Sequence, residues 1–485
     1  MNVRTPRMLA LGLVAALALL ATGCGGGPAA SSETGASLVR ADALAYVSID
    51  TDLGSSQWKQ LDELSQKFPG RDLALGKLDQ ALAKHGVDFD RDVKPALGPE
   101  VDVTVVSSGT EDTTKAVGLT QPQDSGKLKD LISRLNAASS DTTLVYRELD
   151  DGWYAVSDSR AAINEALAGD GPTLENDSTF ADAFQKLPDE ALVKAYANGH
   201  QVGQLVAAAA KKQSNGANPF GSQSAALQKL DSLSASVTAE DDGIRVEGAA
   251  KGAGADEVLG GSNFDSKLLA NTPADALAFL TFRGGSGLAD SLQGMSAPLT
   301  AMLGISADEL AALLENEVAL YVRPGLGIPE ITLALDVKSS SAGLATLDKL
   351  ANQIAAMTGG KVVQHGSEKV LTIGGIAIHY GSADGRIVVT TATNGVAGYG
   401  ASGESLADSA DFKEAKSAAG MPDENAGFAY IDLKDAIPLI LGLAGLAGSQ
   451  PSPVVTENLR PLRSLLAWSE GQGDTRSFDL FLEIK

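Results

Sequence analysis

Ala41-Asp42-Ala43-Leu44-Ala45, followed by Tyr46-Val47-Ser48-Ile49, returns about 233 residues later as Ala274-Asp275-Ala276-Leu277-Ala278, followed by Phe279-Leu280-Thr281-Phe282. An offset this long excludes a solenoid and suits duplicated domains. Later landmarks keep the same order. Glu100–Val105 answers to Glu317–Val322, and Lys115–Leu119 with the periodic run Leu128–Leu135 answers to Ile331–Val337 with Leu344–Ile354. Asp151–Val156 answers to Asp384–Val389, Ser178-Thr179-Phe180 to Ala410-Asp411-Phe412, and Ala191–Ala197 to Ala426–Ile431. Two tandem homologous units follow, at 38–252 and 271–485, with 253–270 as a Gly- and Ser-rich linker.

Within each unit, short β-branched runs such as Val101–Val106, Ile331–Val337 and Ile387–Thr391 read as strands. Asp151-Gly152, Asp242-Gly243 and Asp384-Gly385 sit between apolar runs, where tight turns need residues tolerant of positive φ. Leu344, Leu347, Leu350, Ala351 and Ile354 recur at three and four, as do Leu128, Leu131, Ile132 and Leu135, placing each set on one helical face. Hairpins mixed with helices predict an α+β fold: in each unit a mainly antiparallel sheet with helices packed on one face.

Arg4 and Arg7 precede an apolar run from Met8 to Ala21, the build of a signal peptide over 1–23. The run is shorter than the ~20 residues a bilayer-spanning helix needs. Leu20-Ala21-Thr22-Gly23-Cys24 resembles the lipobox of bacterial lipoproteins, with the chain's one cysteine in the acylated position. Residues 24–37 are Gly, Ala and Ser with few large apolar groups, a composition expected of a flexible tether. A lipid on Cys24 would make the membrane a partner, and the acidic body would stand off anionic head groups. A lipobox followed by a unit opening on Ala-Asp or Pro-Ala-Asp (Pro273 in the second copy), an Ala, an aromatic and a strand resembles a family of uncharacterised envelope lipoproteins of GC-rich bacteria, known only as a domain of unknown function. The resemblance implies an extracytoplasmic, lipid-anchored protein and carries over no catalytic or ligand residue.

Net charge is −23 over 485 residues, which excludes a nucleic-acid binder, since phosphates demand cations. One cysteine excludes a disulfide framework. His85, His200, His365 and His379 lie in no zinc-binding spacing. His365 and His379, with Glu368 nearby, read as strand-end residues. No G-x-S-x-G elbow and no phosphate-wrapping G-x-x-x-x-G-K-[ST] loop occurs. Gly398, Gly400 and Gly403 form a G-x-G-x-x-G that follows a short helix, a helix-end reading rather than a dinucleotide one. Asp88-Phe89-Asp90-Arg91-Asp92 begins like a calcium loop but has Val93 and Pro99 where glycine and glutamate belong, so a solvated turn is expected. No cofactor and no metal are expected.

The uncharged stretch Ala436–Ala447 reads first as a core helix of the second unit. Its apolar side chains Ile437, Leu439, Ile440, Leu441, Leu443 and Leu446 are the candidates for a groove or a membrane contact. The sequence thus predicts a non-enzymatic, lipid-anchored envelope protein acting as an interaction or ligand-binding body. A carrier of lipid or another apolar ligand is the competing reading, and an enzyme with a dispersed site the third.

Overall fold

The structure, a computed structural model, describes residues 34–107, 114–138, 143–213, 225–259, 261–284, 292–293, 296–400, 403–446, 448 and 451–485. The signal peptide, Cys24 and residues 24–33 of the tether lie outside the described residues. The strands of the first half are β1 (Ala45–Asp50), β2 (Glu100–Ser107), β3 (Thr114–Thr120), β4 (Val145–Glu148), β5 (Tyr154–Ser157), β6 (Val193–Asn198), β7 (Leu230–Glu240) and β8 (Gly243–Gly252). A two-residue strand β9 (Phe264–Asp265) leads to β10 (Ala278–Arg283), β11 (Glu317–Arg323), β12 (Glu330–Leu335), β13 (Lys361–His365) and β14 (Glu368–Ile373). Then come β15 (Ile376–Ala383), β16 (Arg386–Thr390), β17 (Glu424–Asn425), β18 (Gly427–Asp432), β19 (Leu462–Gln472) and β20 (Thr475–Ile484).

All pairings of these strands are antiparallel, and eighteen of them form one sheet. The first half runs β4-β5-β3-β2-β1-β6-β7-β8. The second runs β15-β16-β12-β11-β10-β18-β19-β20 in the same connectivity, with β14 and β13 added beyond β15. The halves meet where β8 pairs with β20. There Gly243 lies opposite Glu483, Lys251 opposite Thr475 and, at the centre, Glu247 opposite Asp479.

Turn chemistry explains the local chain reversals. Asp151-Gly152 (φ 54° and 79°) and Asp384-Gly385 (49° and 76°) both take the left-handed region that tight turns demand. Gly243 is required for a different reason: a Cβ there would lie 2.2 Å from the Leu482 carbonyl oxygen of β20. The cores repeat as the strands do. In the first half the Phe180 ring stands edge-on to Tyr46 and Tyr196, at 5.6 and 5.1 Å between centroids. In the second, Phe412 meets Tyr430 edge-on at 5.1 Å. The helices carrying these phenylalanines, Ser178–Phe184 and Ala410–Ala419, are capped by the side chains of Asp177 and Ser409.

Three expectations change. Helices cover both sheet faces rather than one. Phe412, Ala415 and Ala419 pack beside Ala319 and Val388, whereas Leu310, Leu313 and Leu344 pack on the opposite side beside Val318 and Ile387. Strands such as β12 and β16 are apolar on successive residues, so both of their faces need cover. The tether ends before residue 37: Gly35–Ser37 forms a 3₁₀ turn, with Gly35 and Ala36 buried and the Gly35 amide donating to Asp102. Residues 253–270 are packed rather than loose. Ala255, Phe264 and Leu268 are buried, and the Arg283 guanidinium sits 4.3 Å over the Phe264 ring.

The acidic run at Asp88 is a solvated turn in part: Asp88, Asp90 and Arg91 are exposed, but Asp92 is not. Asp92 is 4% exposed and accepts from the Asp88 amide at 3.0 Å, the Arg91 guanidinium at 2.7 Å, and lies 3.5 Å from Lys127. The Arg91 hydrogen bond, the backbone amide and the nearby cations hold its carboxyl well below the usual range. A folded-state value below the unfolded one gives stability that is complete above the ordinary carboxylate range and fades as pH falls. Asp92→Asn is therefore expected to lower Tm at pH 7, with the gap from wild type closing below pH 4; thermal scans across that range test it.

Candidate functional site

The strand alternation that buries one face of β10, β18, β19 and β20 under aromatic rings sends a different set of mainly apolar side chains to the other. In register across five strands stand Val246, Leu480, Ala467, Ala429 and Leu280. The next rung on the same face reads Gly248, Phe478, Ser469, Gly427 and Phe282. Small residues occupy the centre and large ones the flanks, so the surface dips between a Phe478–Leu480 wall and a Leu280–Phe282 wall. The hollow has a volume of about 400 Å³ and is lined almost wholly by apolar atoms. Leu280 is 40% exposed beside it, and the neighbouring Leu320 on β11 is 37% exposed. That volume falls within the range of small-ligand sites.

The helix Leu433–Leu446 leaves β18 directly and lies against β18 and β19. Its start is tied down by the Asp435 amide donating to Asp432 at 3.1 Å. It is no core helix, because Ala436 is its one buried residue. Ile437, Leu439, Leu441 and Leu443 are half-buried, while Ile440 (60%) and Leu446 (85%) project into solvent. Pro438 inside it removes one backbone donor, and no charge follows Asp435 to its end. No helix of the described residues is long and apolar enough to cross a membrane. Sequence reading misses the hollow in the sheet, since Ala429, Ala467 and Gly427 look like ordinary weak strand residues. Only their alignment across separate strands makes a cavity.

The other candidates resolve as follows. His379 Nδ1 lies 2.8 Å from Glu368 and His365 Nδ1 3.7 Å from the same carboxylate, with the Val396 amide donating to Glu368 at 2.7 Å. His365 is largely exposed. Among the described residues no group of three such side chains could hold a metal ion. Despite the cost of partial burial, the Val396 amide and the histidines hold Glu368 below the ordinary carboxylate range. His200 contacts the Gln228 carbonyl at 2.9 Å, and His85 is exposed. Gly398 closes a 3₁₀ turn and Gly400 sits at φ 65°, with the next α-helix starting only at Ala410; Gly403 lies in that intervening loop. Among the described residues no α-helix opens directly after these glycines, as a pyrophosphate site would require.

No curated protein matches the chain. Among solved structures, crystal form I of TP0453 is 12% identical over 46% of this chain and 80% of that one, with a TM-score of 0.23. Crystal form IV of TP0453 is 10% identical over 46% of this chain and 94% of that one, with a TM-score of 0.21. At the level of sequence families, residues 7–128 and 115–484 match one family in two overlapping stretches, and the chain belongs to it: protein of unknown function (DUF3352).

Proposed function

We propose that this protein is a lipid-anchored, extracytoplasmic body, built from two copies of one duplicated unit, that carries an apolar ligand in the hollow on its sheet. The duplication is supported by the repeated strand connectivity and by the matched aromatic cores. The anchor rests on the Cys24 motif. The carrier reading rests on one observation above others: an open apolar hollow of about 400 Å³ between Phe478–Leu480 and Leu280–Phe282. Apolar surface left in water at that scale is costly, and covering it returns roughly 25 cal/mol per Å². A packed surface would instead have favoured a protein whose role is to meet other envelope proteins.

The ligand reading makes a direct prediction. A secreted Cys24→Ser form is expected to take up a fluorescent fatty acid saturably, and Ala467→Glu to weaken that uptake about tenfold or more by placing a carboxylate on the floor. Equal uptake by the two proteins, measured by fluorescence titration, would exclude the hollow as the site. Native mass spectrometry of the purified wild type should find an apolar molecule bound in a one-to-one ratio.

A further inference from the structure

On the face of the sheet opposite the apolar hollow, the joint between the halves carries a second cleft of about 250 Å³, its exposed lining mostly apolar with serines and charged groups set into the floor and rim. Its floor is a regular grid across β7, β8 and β20. One rung is Ser232–Lys251–Thr475, the next Ser234–Ala249–Ser477, and the third Ser236–Glu247–Asp479. The helix Ser178–Phe184 and the residues after it form the wall, contributing Asp182 and Lys186. Both lysines are spent at the rim: Lys251 lies 2.7 Å and Lys186 3.1 Å from Asp182. Glu247 and Asp479 at the far end have no lysine. Glu247 accepts from Ser236 at 3.3 Å, and Asp479 has Arg245 at 3.6 Å, a guanidinium already bound to Glu240 and the Ala419 carbonyl. Between these ends Ser234 is 8% exposed, lines the cleft, and has no hydrogen-bond partner for its hydroxyl among the described residues.

The second half shows what closes such a cleft. Where β7 and β8 pair Ser234 with Ala249, β19 and β20 pair Leu466 with Phe481, and the Phe481 ring fills the space beneath Arg245 at 5.2 Å. The first half is therefore open at the position its counterpart plugs, and the opening is edged by hydroxyls and an under-compensated carboxylate pair.

We propose that this cleft binds a small hydroxylated primary amine of monosaccharide size, its ammonium between Glu247 and Asp479 and its hydroxyls over Ser234 and Ser477. An organic cation is favoured over a metal ion because no metal-holding cluster exists among the described residues. Charge-assisted hydrogen bonds from an ammonium give the site its strength, and the central serines give it shape selectivity. Burial, with Glu247 adding to it, pushes the Asp479 carboxyl up to about 6. The charged groups facing it are Arg245 and Glu247 on β8, Glu470 on β19, and Asp182, Lys186 and Lys251 at the rim. Ammonium binding needs Asp479 ionised, so affinity falls as pH drops through about 6.

Calorimetric titration of the full chain in detergent micelles tests this with glucosamine as the probe and glucose as the neutral control. At pH 7, glucosamine should bind saturably and glucose should not. Asp479→Asn should weaken binding about tenfold or more, Ala249→Phe should abolish it by copying the plug of the second half, and binding should weaken at pH 5. Ser234→Ala should also weaken it, with an unchanged thermal melt as the check that the variant folds. The proposal is overturned if glucosamine gives no saturable heat, if glucose binds equally, or if binding survives in Asp479→Asn and Ser234→Ala.

Discussion

Replacing Glu317 with alanine is expected to cost about 3 kcal/mol or more of folding stability, a large fraction of what holds a typical domain folded. Glu317 opens β11 and is 1% exposed. Its carboxylate accepts from Ser266 Oγ at 2.5 Å, the Lys267 amide at 2.9 Å, the Leu268 amide at 3.2 Å and Thr281 Oγ1 at 3.2 Å. One side chain thereby fixes the segment that leaves the first half to two strands of the second. Truncation strands the buried Leu268 amide and removes the acceptor of the half-buried Ser266 and Lys267 donors, while Thr281 keeps the Val318 carbonyl at 3.0 Å; each orphaned buried donor costs about 1–3 kcal/mol, and the emptied space adds to that. Gln should fall between, because it keeps one acceptor oxygen but turns an amide toward the same donors. Chemical denaturation measures this, with the midpoint falling and the slope holding. A loss below about 1 kcal/mol for Glu317→Ala would mean that the donors find water or other partners.

That carboxylate also marks where sequence reading stops. Glu317 is visible as the head of a strand matching Glu100, yet its partners lie in a stretch whose Gly and Ser content signals a linker. Composition there reports backbone permissiveness, and the chain uses it for close packing rather than for freedom. What is legible is local: the Asp-Gly reversals, the helical spacing of Leu344 and Leu347, and the repeated opening at Ala41 and Ala274. Each depends on residues within a few positions, or on two stretches compared directly. The joint between β8 and β20 is not legible, because its register is set by the mutual fit of two hairpins with no turn between them. The apolar hollow and the serine-floored cleft share this origin. Both exist only after five or three strands are laid side by side, when Ala429 meets Ala467 and Ser234 meets Ala249. The apolar run at Leu433–Leu446 misleads in the other direction: hydropathy suggests the interior, whereas Ile440 and Leu446 face solvent.

Cys24→Ser, made in a form whose apolar segment Met8–Ala21 is still removed, is expected to move the protein from the membrane fraction to the soluble one. The effect is expected to be large, since none of the helices of the described residues is long and apolar enough to span a bilayer. The chain, with net charge −23, is also repelled by anionic head groups. Acyl chains contribute about 0.8 kcal/mol per buried methylene, and two or more chains hold a protein where one gives only reversible binding. Serine has no thiolate to accept them. Labelled palmitate should enter wild type and not the variant, and fractionation should find the variant in the supernatant. Among the described residues, the exposed Ile440 and Leu446 supply a competing route. If Cys24→Ser stays with the membrane while Ile440→Glu combined with Leu446→Glu releases it, the helix and not the cysteine is the anchor. If the double helix variant of the wild-type protein remains bound, attachment belongs to the lipid, and the apolar helix is left free to act at the surface the lipid brings it to.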